Sequence, residues 1–236
     1  MTGALHDQTV LVIGRGSGIA RAVTLAGGAH VIAAGRDQRT LADVYAEEPG
    51  VATETVDLAD EASMAALDKR LGAVDHVVST ASARARGRLA DLDRDAIRRS
   101  FDTKVIGPLM LAKHLAPRTT RDGSFTIFSG VAPAKITVGT LGVAFTNGAA
   151  DVLARSLALE LAPIRVNAIS PGVIDTGAWD ARGEQGKTDY FADISARNPA
   201  RRIGTADDIA AGVLFVMTST SLTGVTLRID GGEPLS

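Results

Sequence analysis

Residues 9–28, TVLVIGRGSGIARAVTLAGG, decide how this chain folds. An apolar, β-branched run typical of a strand leads directly into a turn with three glycines, Gly14, Gly16 and Gly18, and a helical stretch follows. Glycines at such a turn let the backbone approach a pyrophosphate, and the helix N-terminus offers free N–H groups and the positive end of its dipole. The stretch predicts a nucleotide site, with a tight turn that binds no ligand as the alternative.

Similar apolar runs recur along the chain and alternate with segments of helical spacing. The further runs are HVIAAG, VATETV, DHVVST, SFTIFS, IRVNAIS and VTLRID. Apolar residues recur at helical spacing from Asp60 to Leu71 and from Asp93 to Leu115. This alternation predicts an α/β fold, a doubly wound, Rossmann-type parallel sheet of about seven strands with helices on both faces. No linker divides the chain, so we expect residues 1–236 to form a single dinucleotide-binding domain.

Composition excludes several classes of function. The chain has 236 residues and no cysteine, which rules out disulfides, thiolate zinc sites and iron–sulfur clusters, and we expect no metal site. The formal net charge of −2 provides no basic field for nucleic acid. No window holds the roughly 18 uninterrupted apolar residues of a membrane-spanning helix, and the N-terminus does not resemble a targeting segment. We expect a cytoplasmic protein that binds neither nucleic acid nor a membrane.

Residues 175–204 depart from the alternation. This stretch, DTGAWDARGEQGKTDYFADISARNPARRIG, is rich in polar and turn-forming residues and contains the only tryptophan, Trp179, and one of the two tyrosines, Tyr190. A long excursion of this kind is often a lid over a site, and we expect a substrate lid at about 175–204. A surface loop without function is the alternative.

Further motifs follow the glycine turn at the ends of the predicted strands. They are Val56-Asp57-Leu58, Ser79-Thr80-Ala81-Ser82, Arg165 to Thr176 (RVNAISPGVIDT), Gly204 to Ile209 and Arg228 to Gly232. Together they resemble the short-chain dehydrogenase/reductase family over nearly the whole chain, although Ile13 and Ala20 replace a threonine and a glycine of the family's turn. The resemblance implies that a cofactor contacts Gly14, Arg15, Gly16, Ser17, Gly18, Ile19, Arg36, Asp57, Leu58, Thr80, Ala81, Asn147, Pro171, Gly172, Ile174 and Thr176.

The end of the second predicted strand reads Ala34-Gly35-Arg36 and bears on the choice of nucleotide. A carboxylate there would hydrogen-bond the ribose 2′-hydroxyl of NAD, whereas a guanidinium would pair with the 2′-phosphate of NADP. A glycine occupies the position usual for the acid, and Arg15 lies in the glycine turn. Asp37, the next residue, is the counter-argument. The sequence favours NADP(H) over NAD(H).

The family that the chain resembles uses a tyrosine, a lysine four residues later, a serine and an asparagine to deliver a proton. The matching segments place these roles at Val143, Asn147, Gly130 and Lys104 respectively. The chain has only two tyrosines, Tyr45 and Tyr190, and neither is followed by lysine at the fourth position. We therefore interpret the chain as a divergent member that lacks the Tyr-x-x-x-Lys motif.

Four residues are candidates for catalytic roles: Ser129, Lys104, Asn147 and Tyr190. Ser129 lies one residue before the expected serine, and Asn147 can hydrogen-bond the nicotinamide ribose. Burial would lower the pKa of Lys104 toward that of a useful proton donor; alternatively, its side chain reaches solvent or pairs with Asp102 or another acid. Tyr190 either delivers a proton from the lid or is a packing residue.

The leading functional hypothesis is an NADP(H)-dependent oxidoreductase that transfers hydride between nicotinamide and a small carbonyl, enone or imine substrate. The alternatives are a non-catalytic NADP(H)-binding sensor or partner subunit, and a non-redox activity in the same pocket. Arg84, Arg86 and Arg88 either steer an anionic substrate or form a solvated loop. The resemblance also implies a homo-oligomer, a tetramer or a dimer, formed through residues 140–161 and 225–229.

Overall fold

The computed structural model describes residues 5–26 and 30–236. Its strands are β1 (Thr9–Ile13), β2 (His30–Gly35), β3 (Val51–Thr55), β4 (Val74–Ser79), β5 (Thr119–Phe128), β6 (Arg165–Pro171) and β7 (Thr226–Ile229). Each coincides with one of the predicted apolar runs. β5 begins earlier than predicted, and its register with β4 shifts near Gly123, where a Cβ would lie 2.3 Å from the Asp75 carbonyl oxygen. The predicted end of the first helix at Gly27 and Gly28 lies outside the described residues.

The strands are parallel and form one sheet in the order β3-β2-β1-β4-β5-β6-β7. The chain runs outward from β1 to β3 on one side and from β4 to β7 on the other, so the strand order reverses between β1 and β4. In such sheets, ligands bind at the carboxyl ends of the strands beside this reversal. The glycine turn follows β1 and therefore lies at that position.

Helices cover both faces of the sheet, which confirms the predicted α/β architecture. They are α1 (Gly18–Leu25), α2 (Gln38–Val44), α3 (Glu61–Arg70), α4 (Arg94–Phe101), α5 (Gly107–Leu115), α6 (Leu141–Glu160), α7 (Glu184–Arg197) and α8 (Ala206–Thr218). On one face, α3, α5 and α6 bury Leu67, Leu111 and Leu153. On the other face, α1 and α8 bury Val23 and Val213. Each such side chain contributes about 1.5–3 kcal/mol on burial, so two apolar layers hold the sheet in place.

The helix predicted from Asp93 to Leu115 is interrupted by one wider turn. A π-helical turn at Asp102–Ile106 joins α4 to α5 and contains Lys104. Pro108 has no N–H to bond the Lys104 carbonyl in an α-helical pattern, and its ring would crowd that carbonyl. The wider turn relieves this conflict and directs the buried Lys104 side chain toward the sheet. Turns of this kind occur often at functional sites.

Residues 175–204 are more regular than their composition suggests. They contain a 3₁₀ turn at Gly177–Arg182 and the 14-residue helix α7. Trp179 from the turn and Ile194 from α7 bury their side chains against Val173, which follows β6. The segment is therefore a packed helical element rather than an irregular loop.

Candidate active site

The glycine turn lies against the ends of β2 and β4. The Gly14 N–H donates to the Ala34 carbonyl (2.9 Å), and the Thr80 hydroxyl donates to the Ile13 carbonyl (3.0 Å). A Cβ at Gly14 would lie 2.2 Å from the Thr80 hydroxyl oxygen. Only glycine lets these strand ends approach so closely, and the approach fixes the turn at the carboxyl edge of the sheet.

The start of α1 has the donors that a pyrophosphate needs. Within the described residues, the N-cap Ser17 makes no side-chain capping bond and the first turn has no acidic residue. The first N–H groups of α1 therefore have no side-chain acceptor. Gly18 adopts a φ of +55°, and a Cβ there would lie 3.3 Å from the Thr176 side chain. The glycine turn and the segment after β6 thus face each other closely, which suits a dinucleotide.

Two arginines and an aspartate surround the end of β2. Arg15 and Arg36 are exposed, and in the described part of the chain neither forms an ion pair with a carboxylate. Asp37 instead caps α2: its carboxylate accepts hydrogen bonds from the Thr40 hydroxyl (2.7 Å) and N–H (3.0 Å), and these bonds lower its pKa. Asp37, whose carboxylate would favour NAD(H), is therefore engaged in capping α2. The guanidinium groups of Arg15 and Arg36 remain able to bind a 2′-phosphate.

The other predicted cofactor contacts lie along the same edge of the sheet. Gly16 and Ile19 belong to the turn and the first turn of α1, Asp57 and Leu58 follow β3, Thr80 and Ala81 follow β4, and Pro171, Gly172, Ile174 and Thr176 end or follow β6. Leu58 and Ile174 are buried and support the backbone around them. Parallel pairing thus brings residues from distant parts of the sequence to one cleft.

Lys104 is buried, with 6% of its surface exposed, and its ammonium lies at the end of β5. Nζ donates one hydrogen bond to the Ser129 carbonyl (2.8 Å) and another to the Asn147 side-chain oxygen. Because an ammonium has three N–H donors, one remains for a further acceptor. The alternatives in which Lys104 reaches solvent or pairs with Asp102 are wrong.

The surroundings of Lys104 favour its neutral form. Burial, followed by the positive charge of Arg84, lowers the pKa of the ammonium from 10.5 to about 7, whereas the carboxylate of Asp151 raises it. Asp151 also accepts a hydrogen bond from the Thr226 hydroxyl (2.9 Å). A group with a pKa near neutrality can both give and take a proton at neutral pH.

Gly130, Val143 and Asn147 fit together beside this ammonium. A Cβ at Gly130 would lie 2.7 Å from the Asn147 amide nitrogen, so a side chain at position 130 would displace the amide that Lys104 holds. Val143 lies one turn before Asn147 on α6, is 9% exposed and packs with Ala132. The environment at position 143 is therefore apolar, and the only cation of this cluster is Lys104.

Ser129 contributes its backbone to the cluster. Its carbonyl accepts from Lys104, and its N–H donates to the Ile169 carbonyl of β6 (2.8 Å). Its hydroxyl donates to the Asn147 backbone carbonyl (3.1 Å) and thereby ties β5 to α6. The structure brings Ser129, Lys104 and Asn147 together, and a catalytic role for the Ser129 hydroxyl stays a prediction.

Tyr190 lies on α7, outside the direct contacts of Lys104, and packs on Trp179 with ring centroids 4.9 Å apart. The Trp179 indole N–H donates to the Ile174 carbonyl (2.9 Å), which fixes the ring after β6. Burial raises the pKa of the Tyr190 phenol, and the negative charge of Glu233 raises it further. The phenol is therefore protonated at neutral pH, and its place is among the aromatic rings of the predicted lid.

Three guanidinium groups surround Trp179. Those of Arg84, Arg86 and Arg182 lie 5.8, 5.4 and 5.7 Å from the centroid of its ring, and that of Arg182 lies 4.2 Å from the Tyr190 centroid. The space between them is a cavity of about 320 Å³. Sequence reasoning missed Arg182, because only the fold brings the turn after β6 beside the loop after β4.

Three further features of the described residues concern metal ligands, membrane-spanning helices and a second cavity. Across residues 5–26 and 30–236, no group of three or more metal-ligating side chains is placed to hold a metal ion. In the same ranges, no helix combines the length and the apolar character needed to span a membrane. A larger cavity of about 570 Å³ lies between α1 and α8. Gly18, the last glycine of the glycine turn, lines one part of it.

Comparisons with known sequences cover almost the whole chain. The family model described as enoyl-(acyl carrier protein) reductase matches residues 13–233. L-xylulose reductase of Mesocricetus auratus is 32% identical over 244 residues, which cover 97% of this chain and 97% of that protein. The short-chain dehydrogenase/reductase ATR9 of Stachybotrys chlorohalonatus is 32% identical over 248 residues, again with 97% of each chain covered.

Solved structures share the same architecture. A small-chain dehydrogenase in complex with NADPH is 30% identical, with a TM-score of 0.84 and coverage of 98% of this chain and 100% of that one. The MalC reductase/Diels-Alderase of Malbranchea aurantiaca is 26% identical, with a TM-score of 0.91 and coverage of 100% and 99%.

Proposed function

Because the chain belongs to the short-chain dehydrogenase/reductase family, we propose that it is an NADP(H)-dependent oxidoreductase acting on a small carbonyl, enone or imine. Its site lacks the Tyr-x-x-x-Lys motif and uses Lys104 for proton transfer. The observation that carries this proposal is the Lys104 ammonium, which is buried at the end of β5 and keeps one N–H donor beyond its bonds to Ser129 and Asn147.

The cofactor is NADP(H), and the residues around the cleft fit it. The first N–H groups of α1 would hold the pyrophosphate, Arg15 and Arg36 the 2′-phosphate, and residues 171–176 the nicotinamide half. NADPH in a solved relative that is 30% identical supports this choice. When bound, the cofactor gives or accepts the hydride.

Lys104 gives the proton in the direction of reduction. One N–H bond of the ammonium breaks as the carbonyl oxygen of the substrate gains the proton, and Lys104 is left as a neutral amine. Asn147 and the Ser129 carbonyl hold Nζ in place throughout. The neutral amine then takes up one proton from the solution, so each reduction consumes one proton, and a pKa of about 7 allows this uptake at neutral pH. In oxidation the same steps run in reverse.

The other candidate residues have supporting roles. Asn147 positions Lys104, and its amide N–H groups, which have no protein acceptor in the described residues, bind the nicotinamide ribose. Ser129 positions both groups through its carbonyl and hydroxyl. Residues 175–204 act as the lid, in which Tyr190 contacts the substrate.

Consumption of NADPH with a panel of carbonyls, enones and imines tests this function, with NADPH binding measured separately. Lys104→Met should lose at least about 10²-fold in kcat/KM while the Kd for NADPH stays unchanged. Lys113→Met removes an exposed lysine of α5 and is the matched control. Full activity in Lys104→Met would exclude the proton role. Tight NADPH binding without turnover of any acceptor would instead favour a sensor or partner subunit.

The protein is a homo-oligomer, a dimer or a tetramer, in which the outer face of α6 pairs with a second copy. Phe145, Val152 and Leu159 recur every seven residues on this face and are 63%, 53% and 83% exposed. An apolar stripe of this kind is typical of a helix–helix interface, and the edge strand β7 provides a second surface. Light scattering should show the oligomer, and Val152→Glu should dissociate it whereas Val152→Ala should not. A monomeric wild-type protein at micromolar concentration contradicts the proposal.

A further inference from the structure

We infer that the substrate carries a carboxylate or phosphate group that binds in the arginine cavity, the space lined by Arg84, Arg86, Ala178, Trp179, Ala181 and Arg182. The inference deepens the proposed function and rests on it for the identity of the anion as substrate. The presence of an anion site at this place rests on the geometry alone.

The three arginines converge from separate parts of the sequence. Arg84 and Arg86 follow β4 and flank Ala85, which is 1% exposed, so the buried alanine anchors the loop while both neighbours remain outside. Arg182 ends the 3₁₀ turn after β6. All three guanidinium carbons lie within 6 Å of one buried ring, that of Trp179. Attraction between the guanidinium groups and the indole ring contributes to this convergence, and it leaves N–H donors of the three arginines available to an acceptor.

The cluster has no counter-charge from the protein. The nearby acids Asp175 and Asp180 both pair with Lys187, at 3.0 Å each. In the described part of the chain, no carboxylate lies within ion-pairing distance of Arg84, Arg86 or Arg182, so three like charges stand together. Arg84 keeps an exposed part, yet burial lowers its pKa and the charge of Arg86 lowers it further. An oxyanion would neutralise this excess positive charge.

The shape and chemistry of the cavity favour a small organic oxyanion. Guanidinium groups bind carboxylates and phosphates through paired N–H donors, and the rings of Trp179 and Tyr190 offer an apolar surface beside them. The cavity is open to solvent, since all of its lining residues except Trp179 are exposed, and its volume of about 320 Å³ suits a small group. The charge of Arg84 also lowers the pKa of Lys104, so an anion that neutralises Arg84 should raise that pKa.

The only tryptophan of the chain lies in the cavity wall, so its fluorescence reports binding without any turnover. We would titrate the protein saturated with NADP⁺, which occupies the phosphate-binding groups of the nucleotide site, with benzoate and phenyl phosphate. Benzamide is the neutral counterpart of benzoate, and calorimetry would confirm each affinity. The variants are Arg86→Gln and Arg182→Gln. Arg88→Gln, from the same loop but without a contact to Trp179, is the matched control, and Arg36→Gln reports on the nucleotide site.

We expect saturable binding of at least one anion, weakened at least tenfold by Arg86→Gln and Arg182→Gln and unchanged by Arg88→Gln and Arg36→Gln. Preference for benzoate or for phenyl phosphate identifies which oxyanion the cavity takes. Three results would overturn the inference: no binding of either anion by either method, equal binding of benzamide, or equal weakening by Arg88→Gln. NADPH affinity that falls with Arg86→Gln would also overturn it, because the cluster would then serve the cofactor. If the anions bind but no substrate is turned over, the anion site stands and the proposed function fails. If neutral carbonyls are turned over but no anion binds, the proposed function stands and the anion site fails.

Discussion

The turnover number for reduction should fall as the pH rises through about 7. Two single substitutions should shift this falling limb of the pH profile in opposite directions. Lys104 gives a proton only in its charged form, and its pKa is lowered from 10.5 to about 7. That change corresponds to roughly 5 kcal/mol of lost preference for the charged form, and burial is its largest cause. The charges that act on the ammonium are those of Arg84 and Asp151, with opposite signs.

Arg84→Gln removes a positive charge that lowers the pKa of Lys104, so the limb should move to higher pH. Asp151→Asn removes a negative charge that raises the pKa, so the limb should move to lower pH. The assay is kcat at saturating substrate, followed by NADPH absorbance between about pH 5 and pH 9, since kcat reports the groups of the bound complex. Saturation matters because Arg84 also lines the arginine cavity. Lys104→Met should abolish the limb.

A profile whose limb stays in place in both charge variants would show that Lys104 is not the titrating group. A limb that persists in Lys104→Met would show the same directly. Lys113→Met controls for the loss of a lysine as such, because Lys113 is exposed and pairs with Glu61. Only the combination of opposite shifts and loss of the limb agrees with a proton donor in this electrostatic setting.

The remaining predictions concern the nucleotide, stability and the catalytic cluster. Arg36→Ala should weaken NADPH binding about tenfold, a loss of about 1.4 kcal/mol, and spare NADH, whereas Asp37→Ala should leave the preference unchanged because Asp37 caps α2; fluorescence titration checks both. Burial lowers the pKa of His76 from 6.5 to about 4, so as the pH falls the unfolded chain binds a proton at this residue before the folded protein does. Between about pH 7 and pH 4 the free energy of unfolding of the wild type should therefore fall by roughly 3 kcal/mol more than that of His76→Gln, as measured by urea denaturation. Val143→Tyr with Asn147→Lys should cost roughly 3 kcal/mol of stability, because the tyrosine overpacks the site and the new lysine places a second ammonium beside Lys104. Adding Lys104→Asn should recover part of this loss, and no recovery would count against a direct contact between positions 104 and 147.

Local patterns predicted the sheet well because each strand carries its own signal. Every apolar run became a strand, whereas the strand order and register were not predicted, because they depend on pairing between distant segments. The early start of β5 was missed because it depends on Gly123 passing the Asp75 carbonyl, which is a contact between distant residues. The helix in residues 175–204 was missed because its stability comes from Trp179 and Ile194 packing after β6 rather than from its own spacing.

The candidate site divides along the same line. The places of Gly14 and Arg36 at the ends of β1 and β2 could be predicted because a strand end and a turn fix their surroundings, and their contact with a cofactor stays a prediction. The burial of Lys104 could not be derived, since it depends on the π-helical turn that Pro108 favours and on acceptors from β5 and α6. The hydrogen bonds from Thr40 to the Asp37 carboxylate were also missed. They could have been predicted, because an aspartate directly before a helical run is a recognised N-cap signal.

The residues at positions 104, 130, 143 and 147 form one structural unit, and this bears on whether the protein turns over a substrate. Lys104 requires the Asn147 oxygen, the Asn147 amide excludes a side chain at Gly130, and Val143 with Ala132 keeps the neighbourhood apolar. Burial is the largest cause of the lowered pKa of Lys104, so an apolar side chain of similar size at position 104 would avoid a cost that the ammonium carries. The cluster positions the Lys104 ammonium at the end of β5 through two hydrogen bonds and leaves its third N–H donor free. That arrangement gives the proposed proton transfer a positioned donor, and the activity of Lys104→Met tests whether turnover depends on it.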